Sequence, residues 1–418
     1  MIKLIPNKKQ FQLFIDNIDF RYPKQIDLRK SMFNKLNTID FPTKRSEDWR
    51  FTDLSHLLKT EYKFNNFVPN EIPKNCIDEL EFDESNRIVL VNGKLKQKFS
   101  NIDSNILNIT TTNENDINVA NNSNPFLFMN GALYNGGYQL NLNANYSCEK
   151  PMHILNIISN DAEYVQQHHL NKINIGPYSQ ITIIEEIIYL QQSESFSNIV
   201  SEIQLDDNSS VNYTLIQDYH SKVKQFNHHL VAQADNSNLE FNLINIGGNL
   251  IRNDLKINLS GENCSADIAG INLLTDNNHI ENYLSLNHIK PNSTSKQIFK
   301  YILNKKSHGV FNGLVNVHPK AQKSDTQQTN KNILLSKDAL MNANPQLQIE
   351  ADDVKCAHGS ATGELDQDAI FYMRSRGIDL SSAKALLLAG FAKEIFDKVP
   401  NETINNKLND KFNNWLKN

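Results

Sequence analysis

Residues 207–246 read DNSSVNYTLIQDYHSKVKQFNHHLVAQADNSNLEFNLINI. A turn cluster, Asp207-Asn208-Ser209, precedes an apolar alternating run from Val211 to Gln217, and a second cluster, Asp235-Asn236-Ser237, precedes another run from Leu239 to Ile246. Alternation with a period of two is a strand pattern, and Asx-Ser clusters are turn chemistry. The unit recurs on both sides. Pro177-Tyr178-Ser179 leads into Gln180–Leu190, Glu262-Asn263-Cys264 leads into Ile268–Leu274, and Met152–Ile158 is a further short strand. Measured at Ser179, Ser209, Ser237 and Asn263, the steps are 30, 28 and 26 residues. Spacing of this size, with strands inside each unit, predicts a stacked solenoid in which each coil buries its inward residues on the next. A β-sandwich with long strands gives similar spacing. The spacing alone favours the solenoid only slightly.

The flanks of this β body read as helical. Phe11, Phe14, Ile15 and Ile18 mark an N-terminal helix that Pro23 interrupts, and Ile26, Leu28, Met32, Phe33 and Leu36 mark a second. In the polar segment 44–58, KRSEDWRFTDLSHLL, Thr52 is the expected cap of a short helix carrying Leu54, Leu57 and Leu58. Asn92-Gly93, between Arg87–Val91 and Lys94–Lys96, is a hairpin turn signal. Beyond residue 360, Leu365–Arg376 reads as a helix with Gly377 just past its end. Ser381 or Ser382 is expected to cap the next, which carries Leu386, Leu387, Ala389, Phe391 and Ile395 and runs to Pro400. Asn401 then opens a last helix with Ile404, Leu408, Phe412 and Trp415 on one face. The expected organisation is mainly β, with a helical domain over 1–85, the β core over 86–350 and a second helical domain over 351–418.

At 418 residues, 39% apolar and 21% charged, with a mean hydropathy of −0.50, the composition is that of a soluble globular protein. The 42 Lys and Arg against 47 Asp and Glu leave a net charge of −5, which offers no basic domain to a nucleic acid. Cysteines at 76, 148, 264 and 356 form no C-x-x-C pair and suit a reducing compartment. The start, MIKLIPNKKQ, lacks a signal-peptide core, and nowhere do 18 apolar residues run together. A cytoplasmic protein without membrane contact is expected.

The common catalytic signatures are missing: no G-x-x-x-x-G-K-[ST] phosphate cradle, no H-E-x-x-H, and no G-x-S-x-G. Glu185-Glu186 are strand neighbours that point to opposite faces, so they cannot serve one substrate as a carboxylate pair, and at least one is expected in solvent. The doublets His168-His169 and His228-His229 are read in the same way, each with one histidine outward. One segment stands apart, Ala351-Asp352-Asp353-Val354-Lys355-Cys356-Ala357-His358-Gly359. Cys-x-His in an extended segment puts a thiol and an imidazole on one face, two ligands that suit iron or zinc when others join from elsewhere. The commoner meaning of such a pair is a core cysteine beside a hydrogen-bonded histidine.

The words around that pair carry a resemblance. Residues 346–395, QLQIEADDVKCAHGSATGELDQDAIFYMRSRGIDLSSAKALLLAGFAKEI, closely resemble the C-terminal signature of the SufB/SufD family of iron–sulfur cluster assembly proteins. So does LLSKDALMNANPQLQI over 334–349, and the N-terminal K-x-x-E-D-W-R-[YF]-T-D element matches Lys44 to Asp53. The likeness is to the SufD side of the family: SufB proteins are longer and carry extra cysteines, whereas no Cys lies between Ser265 and Lys355 here. SufB also tends to be glutamate-rich where this chain has Val354 to His358.

The resemblance implies a right-handed parallel β-helix flanked by N- and C-terminal helical domains. It also implies a complex with SufB and the ATPase SufC, in agreement with the missing phosphate cradle. The chain would then be a non-catalytic subunit, with an iron–sulfur cluster held transiently at the SufB interface and none on the isolated chain. His358 and Cys356 would be its contribution to that shared metal site. Phe371, Tyr372, Arg376, Gly377, Ala389, Gly390 and Phe391 would form the surface that docks SufC. A homodimer is the alternative assembly when the chain is alone. The competing reading is a β-helix enzyme acting on a polysaccharide; such enzymes present carboxylates along an exposed groove and are secreted, whereas this sequence shows no export signal and carries its most specific motifs in the C-terminal region.

Overall fold

The computed structural model describes residues 2–17, 23–65, 67, 69, 72, 86–101, 107–111 and 124–417. Ile18 and Cys76 lie outside the described residues. From Met152 to Gly363 the chain is a series of strands, most of them 10 or 11 residues long, each but the last two paired in parallel with the strand two further along. Tyr213 stands between Ile183 and Phe241, and His228 between Val200 and Asp254. This is a parallel β-solenoid, and the sandwich alternative falls. Alternate strands belong to two ten-stranded sheets around one apolar interior that includes Ile183, Leu215, Phe241, Ile257, Leu286 and Phe311.

The repeated turn cluster is the corner of the coil. Asn208, Asn236, Asn263 and Asn292 all take left-handed φ angles, from 56° to 63°, a conformation Asn tolerates better than most side chains. Each donates its N–H to the turn of the next coil: Asn208 to Asp235, Asn236 to Glu262, Asn263 to Pro291 and Asn292 to Gln322. The buried serine that follows turns its hydroxyl back onto the turn, Ser209 to the Asp206 carbonyl at 2.6 Å and Ser237 to that of Ala234 at 2.7 Å. Inside, a polar column crosses several coils. Tyr189 donates to Gln225 (2.7 Å), Gln225 to Asn227 (2.6 Å), Asn227 to Asn253 (2.8 Å), Asn253 to Asn282 (2.9 Å) and Asn282 to the Tyr301 hydroxyl (2.6 Å). A slip of one residue between coils would strand these buried amides without partners, so the column pins the register.

Two helical layers cover the outer faces. Helices α1 (Lys8–Asn17), α2 (Pro23–Leu36), α3 (Ser55–Lys59) and α4 (Pro125–Leu133) belong to the layer on one sheet. There Trp49 and Phe126 pack against Phe196 and Phe226. The buried Arg252 guanidinium lies 3.6 Å from the Trp49 ring and pairs with Asp254 and Glu281 at 2.7 Å each. Helices α5 (Gln367–Ser375), α6 (Leu380–Phe396) and α7 (Glu402–Leu416) cover the other sheet, where Leu388, Ile395 and Leu408 meet Ile244, Ile271 and Ile302. Strand Lys355–Gly363 still belongs to the solenoid, so this helical layer begins at Gln367 rather than at the 350 boundary.

Covered outer faces explain where the sequence expectations fail. His168, His169, His228 and His229 are all buried, the outward members lying under the N-terminal layer. Burial holds His168 and His229 down to about 3 and His169 to about 4, so these rings are neutral core residues. Glu185 and Glu186 do point to opposite faces, but neither reaches solvent. Glu186 lies beneath α7. Burial pushes its pKa up, yet the His153 hydrogen bond and the Lys407 ammonium 2.7 Å away outweigh that and hold it at about 2. Thr52 does not cap α3; its hydroxyl is buried between Glu281 and His279, and Asp53 takes the Ser55 N–H instead. Asp379, not Ser381 or Ser382, caps α6, accepting both serine N–H groups. Asn92 and Gly93 do form the hairpin turn, with φ of 49° and 72°.

Glu185 faces the interior, where the Tyr138 and Tyr213 hydroxyls donate to one carboxyl oxygen. Burial pushes its pKa upward, against the hydrogen bonds of Tyr213, Tyr138 and Asn156. The folded state therefore keeps this proton after the unfolded chain has released it. Its contribution is full below the ordinary value of 4.5 and is lost as pH rises from there toward the raised folded value. Glu185→Gln removes the ionisation. In thermal melts from pH 4.5 upward the variant should gain on the parent by up to about 1.4 kcal/mol per pH unit within that window. Parallel stability profiles would contradict this.

Candidate functional site at the open end of the solenoid

Among the described residues the last two strands, Leu340–Ile349 and Lys355–Gly363, are each paired on one side only, to His308–Val317 and Asp325–Leu334 respectively. Both C-terminal and N-terminal helices lie on the flanks, so this end carries no further layer among the described residues. Leu340 and Ile349 are 52% and 43% exposed on the first of these edges.

The final strand brings the sequence-predicted pair to this end. Cys356 stands beside Thr326 in the ladder, His358 beside Gln328, Ser360 beside Asn330 and Thr362 beside Asn332. Thr326, Gln328, Asn330 and Asn332 are buried, so the alternation puts Cys356, His358, Ser360 and Thr362 over the mouth of the coil interior. Ser360 donates to Asn330 Oδ1 at 3.0 Å, and Asn332 Nδ2 to the Thr362 hydroxyl at 2.9 Å. Cys356 is half-buried against the interior cluster, whereas His358 is exposed. Burial, and then the negative charge of Asp325, pushes the Cys356 thiol up, so the free chain holds it protonated. The opposite face of the strand, Ala357, Gly359, Ala361 and Gly363, is exposed, small and without charge. Among the described residues no three His, Cys, Asp or Glu side chains converge as a metal site. The thiol and the imidazole share the face of one strand, two potential ligands by chemical type and fewer than a metal site needs by itself.

The polar alternation C-x-H-x-S-x-T over 356–362 is readable in sequence, and it marks Ser360 and Thr362 as members of this face. Gln328 carries no such signal, because only strand pairing brings it beside His358.

On the C-terminal helices, Phe371 and Tyr372 are 75% and 60% exposed. Arg376 reaches back to the Tyr372 hydroxyl at 3.3 Å, and Gly377 takes a left-handed φ of 87° at the helix end. Gly390 is exposed, while Ala389 and Phe391 are half-buried against the solenoid flank. Leu380 and Leu386, which the sequence did not single out as contacts, are exposed beside them in α6. Four ion pairs tie this layer down: Lys398 to Asp267, Lys407 to Glu186, Lys411 to Asp218 and, in reverse sense, the buried Lys300 to Glu394.

Residues 156–391 match the family described as SUF system FeS cluster assembly, SufBD core domain. The chain belongs to the SufBD family. It is 28% identical to an iron–sulfur cluster assembly SufBD family protein of Synechocystis, over 92% of this chain and 89% of the relative. It is 27% identical to the iron–sulfur cluster assembly protein SufD of Escherichia coli, over 90% and 89%. It is 26% identical to SufD of Bacillus subtilis, over 67% and 64%. The match runs through the open-end strands and α5 into α6. Family membership, and not the burial of any one carboxylate, is what favours the assembly reading over the polysaccharide-enzyme one. No described helix is long and apolar enough to cross a membrane.

Lys300 is the hinge of the α6 attachment, donating to the Phe391 carbonyl at 2.6 Å and lying 4.5 Å from the Phe391 ring. Lys300→Met keeps the stem and removes the charge. It should loosen α6 by about 1.5–3 kcal/mol, the worth of a charged hydrogen bond. Hydrogen exchange over 380–396 should accelerate while the solenoid strands stay protected; unchanged exchange there would contradict the role.

Proposed function

We propose that the chain is the non-catalytic SufD-type subunit of a SufB–SufC–SufD assembly and works in the cytoplasm. Its open solenoid end pairs with the end strands of a SufB-type partner. The exposed surface around Phe371, Tyr372 and the start of α6 docks a SufC-type ATPase, since the chain has no phosphate cradle of its own. The iron–sulfur cluster is cargo: it is assembled where the two solenoid ends meet, and the isolated chain keeps none. The four cysteines, at 76, 148, 264 and 356, form no C-x-x-C pair and suit a reducing compartment.

One observation carries this reading. The Cys356-x-His358 pair sits on a strand whose outer edge is unpaired, so the backbone that recruits a partner strand also delivers the ligand pair to the seam. Imidazole either ligates iron or moves protons beside a thiol. Both roles need His358 at the junction, and neither needs it for folding, because the ring is exposed.

The test is iron and sulfide content of the purified three-protein complex, with its melting temperature and subunit ratio measured beside it. His358→Ala should lose most of the cluster while the ratio and the melting temperature hold. His358→Cys should retain part of the yield if the role is ligation, and none if it is proton transfer. Normal cluster content in the alanine variant would end this reading.

A further inference from the structure

Gln328 and His358 are partners in the ladder of neighbouring parallel strands. Side chains related in this way project from the same face, one strand spacing of about 4.8 Å apart. Gln328 is only 1% exposed. Its Nε2 donates to Oε1 of Gln297 at 2.7 Å, and Gln297 is its partner one strand deeper, itself 1% exposed. Its Oε1 is buried and has no hydrogen-bond partner. A buried amide oxygen without a donor costs about 1–3 kcal/mol, so such an atom at a functional mouth has a role to be explained. The opposite wall holds the amide in place. A methyl group at Gly313 would come within 2.3 Å of Gln328 Nε2, so the glycine is what admits the side chain there.

We propose that Gln328 is a positioning residue for His358: the exposed ring turns to donate one imidazole N–H to the unpartnered amide oxygen, which fixes the tautomer and aims the other nitrogen outward, past the last coil. The inference rests on the reading of His358 given above and adds what directs the ring. Histidines that ligate metals nearly always anchor their second nitrogen on a carbonyl or carboxylate, and this support sets ring orientation and basicity. Here the support is a relay of three consecutive strands, Gln297 to Gln328 to His358, rooted in the solenoid interior.

The experiment reads the ring directly, on the intact isolated chain, from the two ring nitrogen-15 shifts of His358. The parent should show one tautomer predominating. Gln328→Leu, which keeps bulk and loses the carbonyl, should give a mixture of tautomers; Gln328→Glu, which keeps an acceptor, should restore the single form. Gly313→Ala, which crowds the amide from the other side, should mimic the leucine variant. In the three-protein complex, Gln328→Leu should weaken iron retention by about tenfold, the loss typical when such a support is removed, and Gln328→Glu should recover it. A purely packing role for Gln328 would lower the melting temperature of the leucine variant and leave the tautomer ratio unchanged. That result, or a parent that already shows a mixture of tautomers, overturns the proposal. Failure of the His358 reading is distinguishable: His358→Ala would then leave cluster content intact whatever the tautomer result.

Discussion

A parallel solenoid satisfies the backbone of every strand by the coil before and the coil after, and the last coil has only one of the two. That constraint organises the molecule. The corner asparagines repeat it in miniature, each handing its N–H to the next turn, until Lys323 donates to the Asp353 carbonyl. After that the chain leaves the axis. Strands Leu340–Ile349 and Lys355–Gly363 keep their outer hydrogen-bonding groups for whatever arrives, and exposed edges of this kind are strong templates for another strand.

The helices could have closed this end, and their sequence sends them elsewhere. Isoleucines at 184, 216, 244, 271 and 302 make an apolar stripe along the outside of one sheet, and α6 and α7 lie down on it. Aromatic residues at 196 and 226, with Leu170 and Val200, do the same for the N-terminal layer on the other sheet. Burial on the flanks therefore leaves the end of the axis free. The strand that carries Cys356 and His358 is held from below by its pairing with Asp325–Leu334, and among the described residues its far side is open.

Much of this was legible in the residues. The Asx-Ser clusters located the corners, and the alternation between them located the strands, because a coil repeats its turn chemistry even when its sequence does not repeat. The helix boundaries at Gly377 and Asn401 were readable for the same local reason. What the sequence hid was what covers each outer face. A strand with one wet side puts one histidine of each doublet outward and at least one of Glu185 and Glu186 in solvent; α-helical layers distant in sequence bury the outward members, His168 and Glu186 among them. Thr52 looked like a cap because its partners, Glu281 and His279, lie over two hundred residues away. At the candidate site the Cys356-x-His358 face was visible as alternation. Gln328 was not, since register across coils is set by turn lengths and interior amides rather than by any local pattern.

The account stands or falls on whether the free edge is where the partner binds. Hydrogen exchange of the backbone amides in 340–349 and 355–363, measured on the chain alone and after addition of a SufB-type partner, tests this most directly. Partner binding should slow exchange in both strands, with the deeper strands 308–317 and 325–334 protected in either state. A complex that forms while the amides of 340–349 and 355–363 continue to exchange as in the free chain would place the junction elsewhere and contradict the account.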